Sequence, residues 1–436
     1  MNHATFLLSW RLTILMASIA GFALSSASAD EPTSGKARYW KGNIHTHSLW
    51  SDGDDFPEMI AEWYRTHDYN FLALSDHNVL SRGQRWMNAK EITQRGGDKV
   101  IPKYLERFGS HWVQTRGNAK TEGYQFQLKP LDEFRHLVEE RGKFMMIEGE
   151  EISDSVQGAP IHMNATNLSE VIQPISGETV REAIANNLRA AEEHSRRLGR
   201  KVLVHLNHPN FGYAVTAEDL AAVIQERFFE VFNGHPAVGH LGDDDHPSVE
   251  RLWDIANTIR IDKLKAAPLF GVATDDSHSY HGKPGGSSPG RGWVMVRARF
   301  LTPAHIIGAM KRGDFYASSG VVLKSIESSN KAITVEISGN EDETFTTQFI
   351  GTRKGYDQTS SPRNAQDEKK SARITKRYSD DVGAVFKTVK GNSATYEFSG
   401  NELYVRAVVT SSRTMDNPTL KDQKQQAWIQ PVLVQQ

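Results

Sequence analysis

The 436-residue chain contains no cysteine. That absence excludes disulfides, thiolate metal ligands, a cysteine nucleophile and lipid attachment through an N-terminal cysteine. An excess of charge is missing too: 51 Lys and Arg stand against 53 Asp and Glu, for a net charge of −2. Near-neutrality gives no general attraction to nucleic acid or anionic membranes, so no stable nucleic-acid partner is expected. Long apolar runs are scarce, and the one that stands out covers residues 12–24. It follows Arg11 and precedes Ala27-Ser28-Ala29, the order of a secretory signal with a small-x-small cleavage site. The run falls short of the roughly 20 residues that cross a bilayer, which argues against an uncleaved anchor. The expectation is therefore a signal peptide over residues 1–29, a mature chain starting at Asp30, and an exported protein, periplasmic or secreted. Cleavage removes Arg11 and no acidic residue, so the balance becomes 50 minus 53, or −3. No membrane partner is expected after it.

What the chain does have is ordinary soluble composition, 38% hydrophobic and 24% charged, over a length that suggests two domains. Tyr39–Ile44 reads as a strand, Pro57–Thr66 as a helix with Pro57 suited to the first turn, and Phe71–Leu74 as a second strand. The same alternation recurs with Leu131–Arg141 before Lys143–Ile147, Val180–Leu198 before Lys201–Leu206, and Ser248–Ile259 before Leu269–Ala273. Gly292–Arg297 and Pro303–Lys311, capped by Thr302 and stopped by Gly313, give a last unit. Such βαβ repetition predicts a parallel sheet closed or nearly closed into a barrel, with ligands at the carboxyl ends of its strands. Beyond about residue 325 short alternating runs take over at Ile333–Ile337, Thr346–Ile350, Thr395–Phe398, Leu403–Val409 and Trp428–Val434. They predict a small antiparallel β domain over 326–436 that supports the site without building it. Gly351–Val382, rich in Ser, Lys, Arg and Asp, reads as an exposed loop.

Metal-ligating side chains gather at the ends of these runs. His45-Thr46-His47-Ser48 is followed by Ser51-Asp52-Gly53, then by Ser75-Asp76-His77-Asn78. In an extended segment an H-x-H pair puts both imidazoles on one side, where they can share an ion. Further candidates stand in the same context: Glu148, Glu150 and Glu151 after Lys143–Ile147, His205 and His208 beside Val202–Val204, and Asp275, Asp276 and His278 after Leu269–Ala273. His205 lies inside its apolar run, where a hydrogen-bonded core histidine is the plainer reading, whereas His208 sits at the exit. Asp76 and Asp275 adjoin proposed ligands and read as carboxylates that orient histidines.

Taken in order, the motifs H-T-H-S with S-D-G, S-D-H-N, G-E-E-I, N-H-P and D-S-H resemble the PHP (polymerase and histidinol phosphatase) superfamily over about residues 40–325. That resemblance implies an α/β fold, a distorted parallel β/α barrel over 38–325, and metal-dependent phosphoesterase chemistry. It also implies the ligands: His45, His47, Glu151 and Asp276 for one group of ions, with Asp52, His77, His162, His208 and His278 completing neighbouring positions. The family's G-x-E pattern selects Glu151 after Gly149. Nitrogen and oxygen donors in this number suit two or three divalent ions, Zn, Mn or Fe. Water activated by those ions would attack the ester, and His208 or His278 would protonate the leaving group where not engaged as a ligand. R-G-W-V-M-V at Arg291–Val296, G-D-F-Y-A-S-S-G at Gly313–Gly320 and Ala427-Trp428 are similar to a branch that includes carbamate-ester (carbaryl) hydrolases.

Residues 81–130 mix aromatic and basic side chains, with Arg82, Arg85, Trp86, Arg107, His111, Trp112, Arg116, Lys120 and Tyr124. Arg82 and Trp86 are candidates to bind substrate, although Trp86 and Trp112 could equally anchor this insertion. Arg291, after the Gly282–Gly290 stretch, is a second candidate for an anion contact. The function expected is an exported phosphoesterase acting on a small phosphate ester or nucleotide. A carboxylic or carbamate ester hydrolase with the same metals is the alternative, and a non-catalytic metal- or ligand-binding module is a third reading.

Overall fold

The computed structural model describes Met1 and residues 36–340, 342–363 and 373–434. The expected signal peptide and its cleavage site lie outside the described residues. Among the described residues no helix is long and apolar enough to cross a membrane.

The elements form where local chemistry asks for them. Arg38–Asn43 and Phe71–Leu74 are strands, joined through the Pro57–Thr66 helix, which starts at a proline whose missing N–H costs nothing there. Val180–Leu198 is the longest helix among the described residues, opened by the Thr179 hydroxyl accepting from the Glu182 N–H and closed by Gly199 at φ 64°. The Val249–Thr258 and Pro303–Arg312 helices carry the corresponding caps at Ser248 and Thr302. These helices flank a mixed sheet, thirteen strands among the described residues. From one edge it runs Phe270–Thr274, Phe228–Asn233, Leu203–Leu206, Ala159–Thr166, Met145–Val156, Phe71–Leu74, Arg38–Asn43 and Trp293–Ala298, then continues into Phe315–Ser318 and the C-terminal strands.

The sheet curls so that its Phe270–Thr274 edge returns to the first strand. Thr46 forms a parallel bridge with Ser277, the His47 N–H donates to the Ser277 carbonyl at 2.9 Å, and the Asp276 N–H donates to the His45 carbonyl at 3.0 Å. Two segments carrying predicted ligands are thereby hydrogen-bonded to each other.

The expectation of parallel pairing is corrected at two places, the first being Trp293–Ala298, which lies antiparallel to Arg38–Asn43. Met145–Val156 runs on far past the predicted Lys143–Ile147, turns through Gln157 (φ 52°) and Gly158 (φ 82°), and pairs antiparallel with Ala159–Thr166. Two consecutive left-handed residues make the tight turn that suits a twisted hairpin, and a hairpin has no room for a crossover helix. Ala159–Thr166 also pairs antiparallel with Leu203–Leu206. The Phe228–Asn233 strand, parallel to Phe270–Thr274, was not expected from the sequence either.

After residue 325 pairing is antiparallel, as in Phe345–Arg353 with Glu402–Thr414 and the latter with Lys424–Leu433. Lys424–Leu433 pairs in turn with Phe315–Ser318, setting Trp428 opposite Ala317. Trp428 stacks on Phe232 at 5.4 Å and donates its indole N–H to Glu250 at 3.0 Å. Arg406, 1% exposed, pairs with Asp254 through Nη2–Oδ2 at 2.7 Å and Nε–Oδ1 at 2.8 Å. Antiparallel pairing already joins Arg38–Asn43, Trp293–Ala298 and Phe315–Ser318, so strand direction does not change near residue 325, and the core runs across it. Arg406→Met leaves the Asp254 carboxylate buried without its cation. Such half-broken pairs cost about 3–5 kcal/mol, so urea denaturation should show a loss of that order, partly recovered in Arg406→Met/Asp254→Leu. Equal stability of single and double variants would contradict this.

Candidate metal centre

His45-Thr46-His47 follows the end of the first strand, and both imidazoles are fully buried with their Nε2 atoms 3.1 Å apart. The His45 Nδ1 lies 2.6 Å from Glu230 Oε1, so Nδ1 carries a proton and Nε2 is the nitrogen turned to His47. Asp276 Oδ1 stands 3.1 Å from the His45 Nε2 and 3.2 Å from the His47 Nε2, and Glu151 stands 3.5 and 3.4 Å from the same atoms. Donors about 2.1 Å from a common ion lie about 3.0 Å apart in octahedral and about 3.4 Å apart in tetrahedral geometry, so the spacing of His45, His47 and Glu151 suits one divalent cation, with Asp276 against both imidazoles.

Two further groups adjoin the first. His47, Asp52, His77 and His278 converge, with Asp52 carboxylate oxygens 3.5, 3.4 and 3.4 Å from the three rings. Glu151 also meets His77 at 2.8 Å, His162 at 3.0 Å and His208 at 3.6 Å. His47 therefore belongs to the first and second groups, and Glu151 to the first and third.

Strand alternation resolves the three glutamates. Glu151 points to the histidines, Glu150 turns away to accept the Ile172 N–H at 2.7 Å, and Glu148 holds Arg82. Glu150, away from the cluster, has its carboxyl pushed up by burial to about 7. His208 and Asp276 reach the cluster with left-handed backbone, φ 23° and 47°. Non-glycine residues held there store strain, and such strain gathers at functional sites.

The charges are interlocked. Burial would depress His45, but Asp276, Glu230 and Glu151 raise it well above the ordinary histidine range. Burial likewise opposes the charge on His77 and His278, yet Asp52 with Glu151 or Asp276 lifts them to about 10 and about 9. His47, buried beside the His278 cation, falls to about 4. Burial would raise Glu151 and Asp276, but the surrounding imidazoles hold both well below the usual carboxylate range.

The nine predicted ligands His45, His47, Asp52, His77, Glu151, His162, His208, Asp276 and His278 are thus brought together. The five other predicted contacts are not. Asp76 accepts from the Ser48 N–H and from the Ser48 and Ser51 hydroxyls, so it shapes the turn after H-T-H and reaches His47 only through Ser51, whose hydroxyl lies 3.4 Å from Nδ1. Asp275 accepts from the Tyr64 hydroxyl and the N–H groups of Gly290, Arg291 and Gly292. Arg291 spends its guanidinium on the carbonyls of Gly234, Gly286 and Asn417. Arg82 is bound to Glu148, and Trp86 lies beneath the Arg116 guanidinium at 4.5 Å. Trp112 anchors the insertion through its indole N–H to Glu58 at 3.0 Å. The Arg291–Val296 and Ala427-Trp428 motifs belong to the loop anchor and the sheet.

The orienting carboxylate is Glu230, which sequence reasoning missed. Besides His45 it accepts from the His208 N–H at 2.8 Å, the Asn233 amide at 2.7 Å and the Thr274 hydroxyl at 2.7 Å. The signal was available: Phe-Phe-Glu-Val-Phe places one acid inside an apolar strand, where an ionised group needs partners. His205 lies 3.5 Å from the same carboxylate, its ring nitrogens buried without a hydrogen-bond partner, and forms a further donor group with His45 and Glu230. Asn207 donates to Glu151 at 2.7 Å and Asn233 to Asp276 at 3.1 Å, two further holders of ligands. Glu230→Gln should lower metal affinity about 10–100-fold, measured by competition with a chelator. Unchanged affinity would deny Glu230 this role.

No family model matches the sequence, nor does any curated protein. Among solved structures, one similar chain is a two-domain protein from Bacteroides vulgatus described as containing a predicted PHP-like metal-dependent phosphoesterase. It shares 14% identity over 90% of this chain and 95% of that one, with a TM-score of 0.37. Another is a Bifidobacterium adolescentis protein named as a candidate metal-dependent phosphoesterase, at 15% identity over 57% of this chain and 91% of that one, with a TM-score of 0.28. Overlaps of this size transfer no activity, and neither speaks to the carbamate-ester branch. It is in the order of its ligand motifs, and in the single cluster into which they fold, that the chain resembles the PHP superfamily.

Proposed function

We propose that this chain is an exported metal-dependent hydrolase, a phosphoesterase acting on a small phosphate ester or nucleotide. The observation that carries the reading is the sharing of His47 and Glu151 between adjacent donor groups, because shared donors set two or three ions side by side. Divalent ions bound there would polarise the ester, activate water and neutralise charge on the departing oxygen. The chain's own work is holding and orienting. His45, His47, Glu151 and Asp276 define the central position, Glu230 fixes the His45 tautomer, and Asn207 and Asn233 keep the two carboxylates aimed. His208 and His278 remain the candidates to protonate a leaving group. Export is supported by Arg11, the apolar run and Ala27-Ser28-Ala29.

The test sets aryl phosphate mono- and diesters beside aryl carboxylic and carbamate esters, with protein loaded in turn with Zn, Mn and Fe. Phosphate-ester turnover abolished by chelation is the expected result. Turnover of carboxylic or carbamate esters alone would transfer the reading to that class. Metal-replete protein inert on both panels would reduce it to a binding module. N-terminal sequencing of the exported protein should start at Asp30, and a membrane-held chain still starting at Met1 would overturn export.

A further inference from the structure

Phe211 opens the short 3-10 turn Phe211–Tyr213, directly after His208-Pro209-Asn210. It is half-buried, yet among the described residues it joins none of the hydrophobic clusters of the core. Its ring neighbours are imidazoles: His208 at 5.1 Å, His162 at 6.3 Å and His235 at 6.5 Å. A large apolar ring ordinarily gains its stability from apolar area, and this one stands instead against the metal-ligand cluster.

His235 approaches from the next strand end, after Phe228–Asn233. Its ring meets His278 at 5.6 Å and Phe211 edge-on. The Ala237 N–H donates to its Nδ1 at 3.1 Å, which leaves the ring N–H at Nε2. His235 belongs to none of the candidate donor groups among the described residues. The two loops are tied together, since the Asn210 amide donates to the carbonyls of Gly239 at 2.8 Å and Pro247 at 3.0 Å. Two flat side chains are thus held in fixed relation beside His208 and His278, with no structural task in the core to account for Phe211.

We propose that Phe211 and His235 form one wall of the ester-binding cleft and select substrates whose alcohol portion is a planar aromatic or heteroaromatic ring. The inference rests on the hydrolase reading above and names its substrate class. Stacking or edge-to-face contact with such a ring returns apolar contact to Phe211 and geometric selectivity to the cleft.

The experiment uses unreactive probes on the full metal-loaded chain: phenylphosphonate and methylphosphonate, with affinities from titration calorimetry and metal content measured alongside. Wild type should bind phenylphosphonate about fivefold or more tightly than methylphosphonate. That preference should fall at least about threefold in Phe211→Ala and in His235→Ala, with metal content at the wild-type level. Wild type binding both probes equally, or both variants keeping the full preference, overturns the wall while leaving the hydrolase reading intact. Loss of metal from both variants overturns it too, because the rings would then be props for His208 and His278. Wild type that takes up no metal and binds neither probe defeats the hydrolase reading itself.

Discussion

Asp276→Asn should strip this chain of bound metal and lower ester hydrolysis by orders of magnitude, while secondary structure and solubility stay close to wild type. Asp276 is 5% exposed, and its carboxylate lies 3.1 and 3.2 Å from the His45 and His47 Nε2 atoms. Asparagine keeps its volume and removes the charge a divalent ion needs. Its amide oxygen can still accept the Asn233 hydrogen bond, and asparagine tolerates the left-handed backbone at φ 47° better than most residues. The substitution therefore separates ligation from folding. His47→Ala removes a donor shared by two groups and should act at least as strongly, with metal content falling alongside turnover. Metal analysis, circular dichroism and turnover on every responsive substrate check both variants. Wild-type metal stoichiometry and turnover in the pair would end the metallohydrolase assignment at these positions.

The side-chain cluster was legible because its motifs lie at the ends of apolar runs, and those ends meet when the sheet curls. The helices were legible for a local reason: Thr179 and Gly199 bracket Val180–Leu198, and Thr302 and Gly313 bracket Pro303–Arg312, so their caps are written in sequence. What escaped depends on distant contacts. Asp76 and Asp275 stand next to ligands in the chain, but neighbours along a strand point to opposite faces, and both aim at backbone N–H groups and hydroxyls. Glu230 is far from every motif in sequence yet 2.6 Å from His45. The Ala159–Thr166 strand escaped because its place depends on a two-residue turn at Gln157-Gly158 that folds the whole segment back onto Glu151. Arg82, Trp86 and Arg291 show how composition misleads, because an arginine near a site is as readily spent on a glutamate or on loop carbonyls as on substrate.

Metal removal should make stability strongly pH-dependent, in a direction fixed by the interlocked charges. Without ions, His77 titrates near 10 and His278 near 9, each raised by carboxylates against the cost of burial, and His45 and His208 are raised as well. A histidine whose folded value exceeds its unfolded value of about 6.5 stabilises the fold fully below that pH, and the contribution is lost as pH rises through the folded value. Glu151, Asp276 and Glu230 are depressed, so their contribution is present above about pH 4.5 and is lost as pH falls. Chelated protein should therefore be most stable between about pH 5 and 6.5 and weaken steadily toward pH 9–10. Ligation demands neutral imidazoles, so loading metal at pH 7 must expel protons, about two to four per chain, and fewer near pH 10. Affinity then rises with pH, and the gap in Tm between loaded and chelated protein should widen from pH 6 to 9; saturation at about a thousand times Kd is worth about 4 kcal/mol. Calorimetry in buffers of different ionisation enthalpy counts the protons, and paired melting curves measure the gap. A gap that narrows with rising pH, or metal uptake at pH 7 with no proton release, would show that these histidines are not the ligands.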